Sequence, residues 1–379
     1  MDDSIQIHPV ITRRDLSAFV SLPWQIYRDD PNWVPPLISD QLHRLDPARG
    51  PFFTHAEAQL FLARQGRRDV GSISVFIDHR RVAHLNRQVG GFGFFEVVED
   101  YAVAEALLDA AIEWLWERNI SEMRGPTSFT DYEYPGVLIE GAAVPPVMLT
   151  AHTTPYYRDF LEGYGMEKDY DLYAWRASRE QVDAELENIL PELTEAGEAA
   201  SAKAPVTIRA ARLDAWESEI RAAHQLFMET LGALPEYTPI SHEEFRSLAN
   251  QMRAFLDPSM VLFANVEEQP VGFCVALPDF NQVLRQLNGR LFPKGWIAAQ
   301  QMIEQIDVLS FKSMSIREEY RQRGIDSLLF REALKACSAR GFNWLDCSVT
   351  LENDPMVNLI ANWLRAERYK HYRVYKLDL

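Results

Sequence analysis

Two stretches of the chain alternate apolar and polar positions and break at a short polar turn. Residues 59–78 read QLFLARQGRRDVGSISVFID, and residues 261–279 read VLFANVEEQPVGFCVALPD. Period-two alternation on both sides of a polar break predicts a β-hairpin, and each second strand opens on Val-Gly. The echo then continues in order. An apolar strand follows each hairpin (VGGFGFFEVV; IDVLSFKSMSI), then apolar positions at helical spacing (VAEALLDAAIEWLWERN; IDSLLFREALKACSARG), then a shorter strand (SEMRGPTSF; FNWLDCSVTL). Each half closes on a helix and an aromatic-rich strand, PYYRDFLEGYGMEKDYDLYAW and MVNLIANWLRAERYKHYRVYKL. This order predicts two copies of one mixed α/β unit.

Three segments fall outside the repeat. Residues 177–205 are acidic and rich in Ala and Glu, with Val182, Leu186, Leu190 and Leu193 at near-helical spacing. They predict a solvent-exposed connecting helix. The first domain is therefore expected over 1–176, the linker over 177–205 and the second domain over 206–379. The N-terminal extension contains FVSLPWQIYRDDPNWVPPL, whose prolines forbid a continuous helix, and predicts a segment packed over a domain face. The insertion 280–302 sets apolar Leu284, Leu287, Leu291 and Phe292 beside Arg285, Arg290 and Lys294. It fits an amphipathic lid and a core-packing excursion equally.

Composition narrows the chemistry. A formal charge of -17 removes the basic footprint that nucleic acid needs, so no nucleic-acid partner is expected. Three scattered cysteines offer neither a disulfide framework nor a zinc motif, and the histidines show no metal-ligand spacing; no metal is expected. His55 and His152 read as structural. No signal peptide and no window of eighteen apolar residues is visible, which predicts a cytoplasmic protein, with peripheral contact to the inner face of the membrane left open.

Against this acidic background one basic turn stands out, SIREEYRQRGIDSLLF, where a strand passes through Arg321, Gln322, Arg323 and Gly324 into a helix at Ile325. The first N–H groups of a helix lack intrahelical partners, and the dipole there favours an anion. Gly324 lacks the Cβ that would block a pyrophosphate. Asp326 is unwelcome beside a phosphate but suits the first turn of a helix. The equivalent turn of the first half, FFEVVEDYAVAEALL, is acidic and has no glycine.

The order of elements around this turn resembles the GNAT superfamily of acyl-CoA-dependent N-acyltransferases, whose signature is Arg/Gln-x-x-Gly-x-Gly/Ala at a strand-to-helix junction. Residues 206–379 match throughout. Several further words, among them DDPNWVPPL, PFFTHAEAQLFLA, GFGFFE and LPDFNQVLRQLNGRLFP, extend the resemblance along nearly the whole chain to a bacterial tandem-GNAT family that includes ceramide synthases. The resemblance implies two GNAT-like domains in tandem, the first degenerate, and acyl-CoA as co-substrate in the second. Backbone amides from Gln322 through Arg323, Gly324, Ile325 and Asp326 to Ser327 would hold the pyrophosphate. Met314, Ser315 and Ile316 would pair with the pantetheine, and Asn353 matches the asparagine that follows strand 5 of the fold. It further implies an amine acceptor, lipidic in the ceramide synthases. Two alternatives stay open: a short-chain acetyltransferase, and a catalytically degenerate acyl-CoA-binding module.

Aminolysis of a thioester needs a proton acceptor and a donor for the oxyanion. Carboxylates at strand ends and loops are the candidates: Glu352 ending SVTLE, Glu96 after the aromatic run GFGFF, and Glu133 in FTDYEYPG. For each the plainer reading is a solvated surface charge, although burial against aromatics would raise the pKa of Glu96. The tyrosine acid that many GNAT enzymes carry in helix 4 falls here on Ile360 or Ala361. Tyr369, Tyr372 and Tyr375 are its nearest substitutes.

Overall fold

The first half opens with β1 (Ile5–Pro9), which pairs antiparallel with β2 (Ala56–Gln65). The predicted hairpin joins β2 to β3 (Arg68–Asp78), and β3 pairs in turn with β4 (Val89–Val97). β4 then runs parallel to the short β5 (Glu122–Gly125). The crossover between them is α4 (Tyr101–Trp116), preceded in the chain by α1 (Arg13–Ser21), α2 (Ile38–Arg44) and α3 (His79–Leu85). Val103, Ala104, Leu107, Leu108, Ala111 and Leu115 of α4 are wholly buried at the spacing the sequence shows. Gly71, the glycine of the first Val-Gly, lets this helix approach: a Cβ there would sit 2.8 Å from Leu107 and Val103. The half continues through β6 (Val137–Glu140), α5 (Tyr156–Gly163) and β7 (Glu167–Ser178).

The second half repeats the plan. β8 (Val206–Ala210) pairs with β9 (Val261–Val266), and the second predicted hairpin joins β9 to β10 (Gln269–Pro278). α6 (Trp216–Glu229) and α7 (His242–Arg253) lie between β8 and β9 in the chain, and α8 (Asn281–Leu287) follows β10. β11 (Val308–Ile316) leads through the glycine turn into α9 (Ile325–Arg340), then β12 (Trp344–Leu351), α10 (Pro355–Trp363) and β13 (Glu367–Asp378).

This computed structural model describes residues 4–185, 191, 195, 205–234, 237–253, 256–290, 302–321 and 323–379. The chain forms two compact units that cut across the sequence halves. Unit 1 holds Met1–Leu172 together with Asn281–Glu304 and Lys370–Leu379; unit 2 holds Tyr173–Phe280 and Gln305–Tyr369. The sequence boundaries 1–176 and 206–379 follow the repeat, whereas the compact units exchange pieces of it.

Unit 1 therefore borrows its last strand. Residues of β13 pair antiparallel with β5 (Tyr375↔Gly125, Leu377↔Met123) and with β6 (Tyr372↔Leu138). Tyr375 is fully buried in a core with Phe92, Leu107, Met123 and Leu161. Arg373 anchors the same strand by a bidentate pair to Asp171, at 2.8 and 3.1 Å. Unit 2 has the strand order β12–β11–β10–β9–β8, with the last residues of β7 beside β12. Its core gathers Ala264, Leu309, Leu329 and Leu334 beneath α9.

Two segments outside the repeat take shape. Residues 179–185 are helical, with Arg179, Glu180, Asp183 and Ala184 exposed and Val182 buried in the core cluster that holds Ala177. Leu186, Leu190 and Leu193 lie outside the described residues. The insertion packs into unit 1. Asn281 and Val283 are buried, Asn281 Nδ2 donates to the Pro146 carbonyl at 2.8 Å, and Ile38 N donates to the Gly289 carbonyl at 3.1 Å. The core-packing reading thus describes residues 281–290; Leu291, Phe292 and Lys294 lie outside the described residues.

The borrowed strand gives a direct test. Removing the buried ring in Tyr375→Ala should cost about 3–5 kcal/mol, the usual price of a large cavity in a core. Protection of unit 1 amides in hydrogen exchange should fall while unit 2 amides keep theirs. A loss below about 1 kcal/mol in denaturant unfolding would contradict this placement.

Candidate active site

In unit 2 the parallel ladder between β11 and β12 stops partway. It runs Val308↔Trp344, Leu309↔Leu345, Ser310↔Asp346 and Phe311↔Cys347, whereas β11 stays paired with β10 as far as Ile316↔Gly272. The two central strands splay beyond Phe311. Met314, Ser315 and Ile316 thus lie past the end of the ladder, where a strand-like ligand can add. Ser315 is buried and its hydroxyl takes a hydrogen bond from Thr230 at 2.8 Å.

The glycine turn follows directly. Gly324 occupies the N-cap position of α9 at φ +81°, and no side chain caps the helix. A residue with a Cβ is disfavoured at that angle, and the first amides of the helix keep their donors for an outside acceptor. Arg321 Nε donates to the Ile316 carbonyl at 3.1 Å, which ties the turn to the end of β11, and the Arg323 guanidinium stacks 5.4 Å over the Tyr320 ring. Ile325 is buried, Ser327 is half-buried, and Asp326 lies in the first helical turn. Gln322 lies outside the described residues. These features fit a pyrophosphate and an extended pantetheine arm. In unit 1 the corresponding helix is closed to such a ligand, because the Asp100 side chain accepts from Ala102 N at 3.0 Å and caps it with a carboxylate.

A buried polar cluster marks the splay of unit 2, and no spacing in the chain announces it. Asp346 accepts from the hydroxyls of Ser310, Ser348 (2.7 Å) and Tyr369 (2.8 Å). Lys312 Nζ donates to the Ser348 carbonyl at 3.2 Å, and desolvation holds its pKa below the usual lysine range. Alternation along β11 and β12 puts these residues on matching faces, but only the ladder register brings them together. Tyr369 is thus a donor to Asp346. Tyr375 donates to Glu162 in unit 1, and Tyr372 is buried in β13.

Unit 1 has a splay of its own. The β4–β5 ladder ends at Gly91↔Arg124, while β4 continues beside β3 to Val97. Beyond that point a cavity of about 170 Å³ opens, walled by Phe19, Val20, Trp33, Phe94 and Leu284 among others. The proline-rich N-terminal extension and the insertion helix α8 both line it. Glu96 faces this cavity from β4. Its carboxylate accepts from the Tyr157 hydroxyl at 2.9 Å beside buried Tyr27, and desolvation pushes its pKa up to about 7. His152, buried on the same wall, pairs through Nε2 with Asp30 Oδ2 at 2.7 Å.

The remaining candidates are dispersed. Glu133 is held in an ion pair with Arg44, which also donates to the Ser128 carbonyl at 2.8 Å. Glu352 is half-buried in the turn after β12, with Asn353 exposed beside it. Asp354 caps α10 by accepting from Val357 N at 3.1 Å. On that helix Ala361 is buried and Ile360 packs against the core of unit 2. His55 pairs with Asp78 at 3.1 Å. Cys274, Cys337 and Cys347 are free thiols whose pKa values burial raises to about 12, 11 and 12. Among the described residues no His, Cys, Asp or Glu group is arranged to hold a metal, and no helix is long and apolar enough to cross a membrane.

Comparison with known proteins identifies the family. The acetyltransferase (GNAT) family model matches residues 220–362. Protein YghO of Escherichia coli is 30% identical over 98% of this chain and 95% of its own length. A bacterial ceramide synthase of Caulobacter vibrioides is 29% identical over 99% and 98%. Among solved structures, a tandem GNAT protein from the clavulanic acid biosynthesis pathway shares the fold at a TM-score of 0.54 and 12% identity, covering 99% of this chain and 98% of its own. The chain belongs to the tandem GNAT family of acyltransferases, which use acyl-CoA as co-substrate.

Proposed function

We propose that the protein transfers a long-chain acyl group from acyl-CoA to the primary amine of a long-chain base, forming an amide of the ceramide type. The observation that carries this reading is the apolar cavity of unit 1, which buries a carboxyl group that ionises near neutral pH. The apolar lining suits an alkyl group with one cationic end better than a wholly polar acceptor, and about 170 Å³ takes the amine and the first carbons of a chain rather than its full length. The name of the Caulobacter relative supports the same substrate class.

The acyl-CoA belongs to unit 2. Amides at Arg323, Gly324, Ile325, Asp326 and Ser327 take the pyrophosphate, with Arg321 and Arg323 supplying charge, and Met314 to Ile316 take the pantetheine. Asn353, exposed in the turn after β12, is a further candidate contact. The amine nitrogen attacks the thioester carbon, its C–N bond forms as the C–S bond breaks, and the CoA thiolate leaves. A β11 amide near Met314 or Ser315 holds the oxyanion. Glu96 takes one proton of the ammonium group to free the amine, and the second N–H proton, lost as the amide forms, passes to the departing thiolate. Glu352 is the alternative base on unit 2, whereas the ion pair with Arg44 makes Glu133 a structural residue in this reading. A lipid acceptor implies peripheral contact with the inner face of the membrane.

Three outcomes test the proposal. Thiol release with dodecylamine or a sphingoid base should rise with donor chain length and be lowest with acetyl-CoA. A preference for acetyl-CoA would favour the short-chain acetyltransferase, and binding without turnover would favour a degenerate module. Gly324→Glu puts both a Cβ and a negative charge at the φ +81° cap. It should weaken acyl-CoA binding roughly 100-fold or more by calorimetry, the scale expected when several charge-assisted hydrogen bonds are lost; unchanged affinity would show that the phosphates bind elsewhere.

Glu96→Gln should slow turnover by about 10²–10⁴-fold, the usual share of a general base. The same variant has a signature in stability. A folded pKa of about 7, raised from 4.5, means that the folded protein holds a proton which the unfolded chain has lost. Stability from this group is therefore complete below about pH 4.5, falls as pH rises through about 7, and is level above it. Glu96→Gln should match the wild type near pH 5 and exceed it in Tm at pH 8. Equal Tm differences at both pH values would show that the carboxyl is not desolvated.

A further inference from the structure

The cavity of unit 1 holds a second polar group for which the reading above has no use. His152 is 8% exposed and its ring lines the cavity. Nε2 is engaged by Asp30 at 2.7 Å, which makes it the protonated nitrogen of the neutral ring. Nδ1 is then a lone-pair acceptor. It is buried and finds no hydrogen-bond partner among the described residues. A buried acceptor left unpaired costs free energy, so it points to a ligand that donates.

Three hydroxyls of the wall point the same way. The hydroxyls of Ser72, Ser128 and Thr150 spend their protons on the carbonyls of Phe94 (3.3 Å), Glu133 (2.6 Å) and Val147 (2.8 Å). What they offer the cavity is lone pairs. Glu96, once ionised, is acceptor-only as well. Nδ1, the Glu96 carboxylate and these three hydroxyl oxygens together favour a cation bearing several N–H bonds over a carboxylate, while the Gln41 amide and the Tyr134 hydroxyl, which also line the cavity, can donate.

We propose that this cavity is a binding site for a primary alkylammonium group, in which His152 Nδ1, oriented by Asp30, and the Glu96 carboxylate each receive an N–H of the ligand. Asp30 is a positioning residue: it fixes the tautomer that leaves Nδ1 free. The inference rests on the amine acceptor named above and adds the atoms that recognise it.

The charged and titratable groups facing His152 are Asp30, Glu96 across the cavity, the buried Tyr27 ring 6.1 Å away, and Lys370 from β13. Lys370 is itself held by the carbonyls of Gly141 (2.8 Å) and Val144 (2.5 Å). Desolvation keeps the His152 pKa below the usual histidine range, so the ring is neutral at pH 8, where Glu96 is ionised and an alkylamine is still protonated.

The test uses full-length protein labelled with ¹⁵N-histidine, titrated at pH 8 with dodecylamine and, separately, with laurate. His152→Gln assigns the resonance. Dodecylamine should move the Nδ1 signal of His152 upfield from the free-acceptor position and saturate, while laurate should leave it in place. Asp30→Asn, which can donate to Nε2 and so put the proton on Nδ1, should weaken dodecylamine binding roughly 10- to 100-fold, as expected for a lost hydrogen bond to a charged group. Its acyl-CoA affinity should be unchanged. A fixed Nδ1 signal at saturating dodecylamine, or an equal response to laurate, overturns the inference, and because the wild-type titration reads this, misfolding of a variant does not obscure it. If Nδ1 responds but no amine is ever acylated, the site stands and the proposed transferase reaction falls; if amines are acylated while Nδ1 is silent, the reverse holds.

Discussion

Where two parallel strands part inside a sheet, the backbone groups they no longer give each other must find another partner. Both units of this protein meet that demand at the same place in the fold, after Gly91↔Arg124 in one and after Phe311↔Cys347 in the other. Unit 1 closes part of its gap with backbone, since Thr127 N donates to the Phe92 carbonyl at 2.9 Å. Unit 2 uses a side chain, with Lys312 reaching the Ser348 carbonyl. What remains open in unit 2 is a strand edge, and in unit 1 a cavity. An unmet hydrogen-bonding requirement thus becomes a place for a ligand.

The two copies resolve the adjoining helix start in opposite ways. Unit 2 leaves its helix uncapped behind Gly324, so the amides and the dipole remain available to an anion. Unit 1 fills the same position with the carboxylate of Asp100, which gains a good N-cap and gives up any phosphate. Around its splay, unit 1 sets aromatic and proline side chains from the N-terminal extension and residues of α8 from the insertion. The two copies thus contrast most sharply at one turn.

Much of this was legible in the sequence. The hairpins, the long helices and the contrast between RQRGID and VVEDYA all rest on short-range patterns: period-two alternation, helical spacing and the presence of a glycine. The exchange of β13 was hidden, because its alternating aromatic residues satisfy any sheet edge and only the register Tyr375↔Gly125 fixes which one. The insertion was ambiguous for a similar reason, as its apolar face suits a lid or a core until Asn281 finds the Pro146 carbonyl. His152 and Asp30 are 122 residues apart, so no spacing rule joins them. Lys312, Asp346 and Tyr369 were likewise invisible until the strands were aligned. Asp30 did stand in a word that carries the family resemblance, DDPNWVPPL, which was the one available hint.

An acyl-CoA held at the Gly324 turn that gives up its acyl group to a long-chain amine must leave an amide behind in the cell. Mass spectrometry of lipid amides in cells that express the protein and are supplied with a long-chain base measures this most directly. A new N-acyl amide of that base should appear, and should be absent when the cells express Gly324→Glu at equal level. An unchanged amide profile, with the wild-type protein folded and loaded with acyl-CoA, would contradict it.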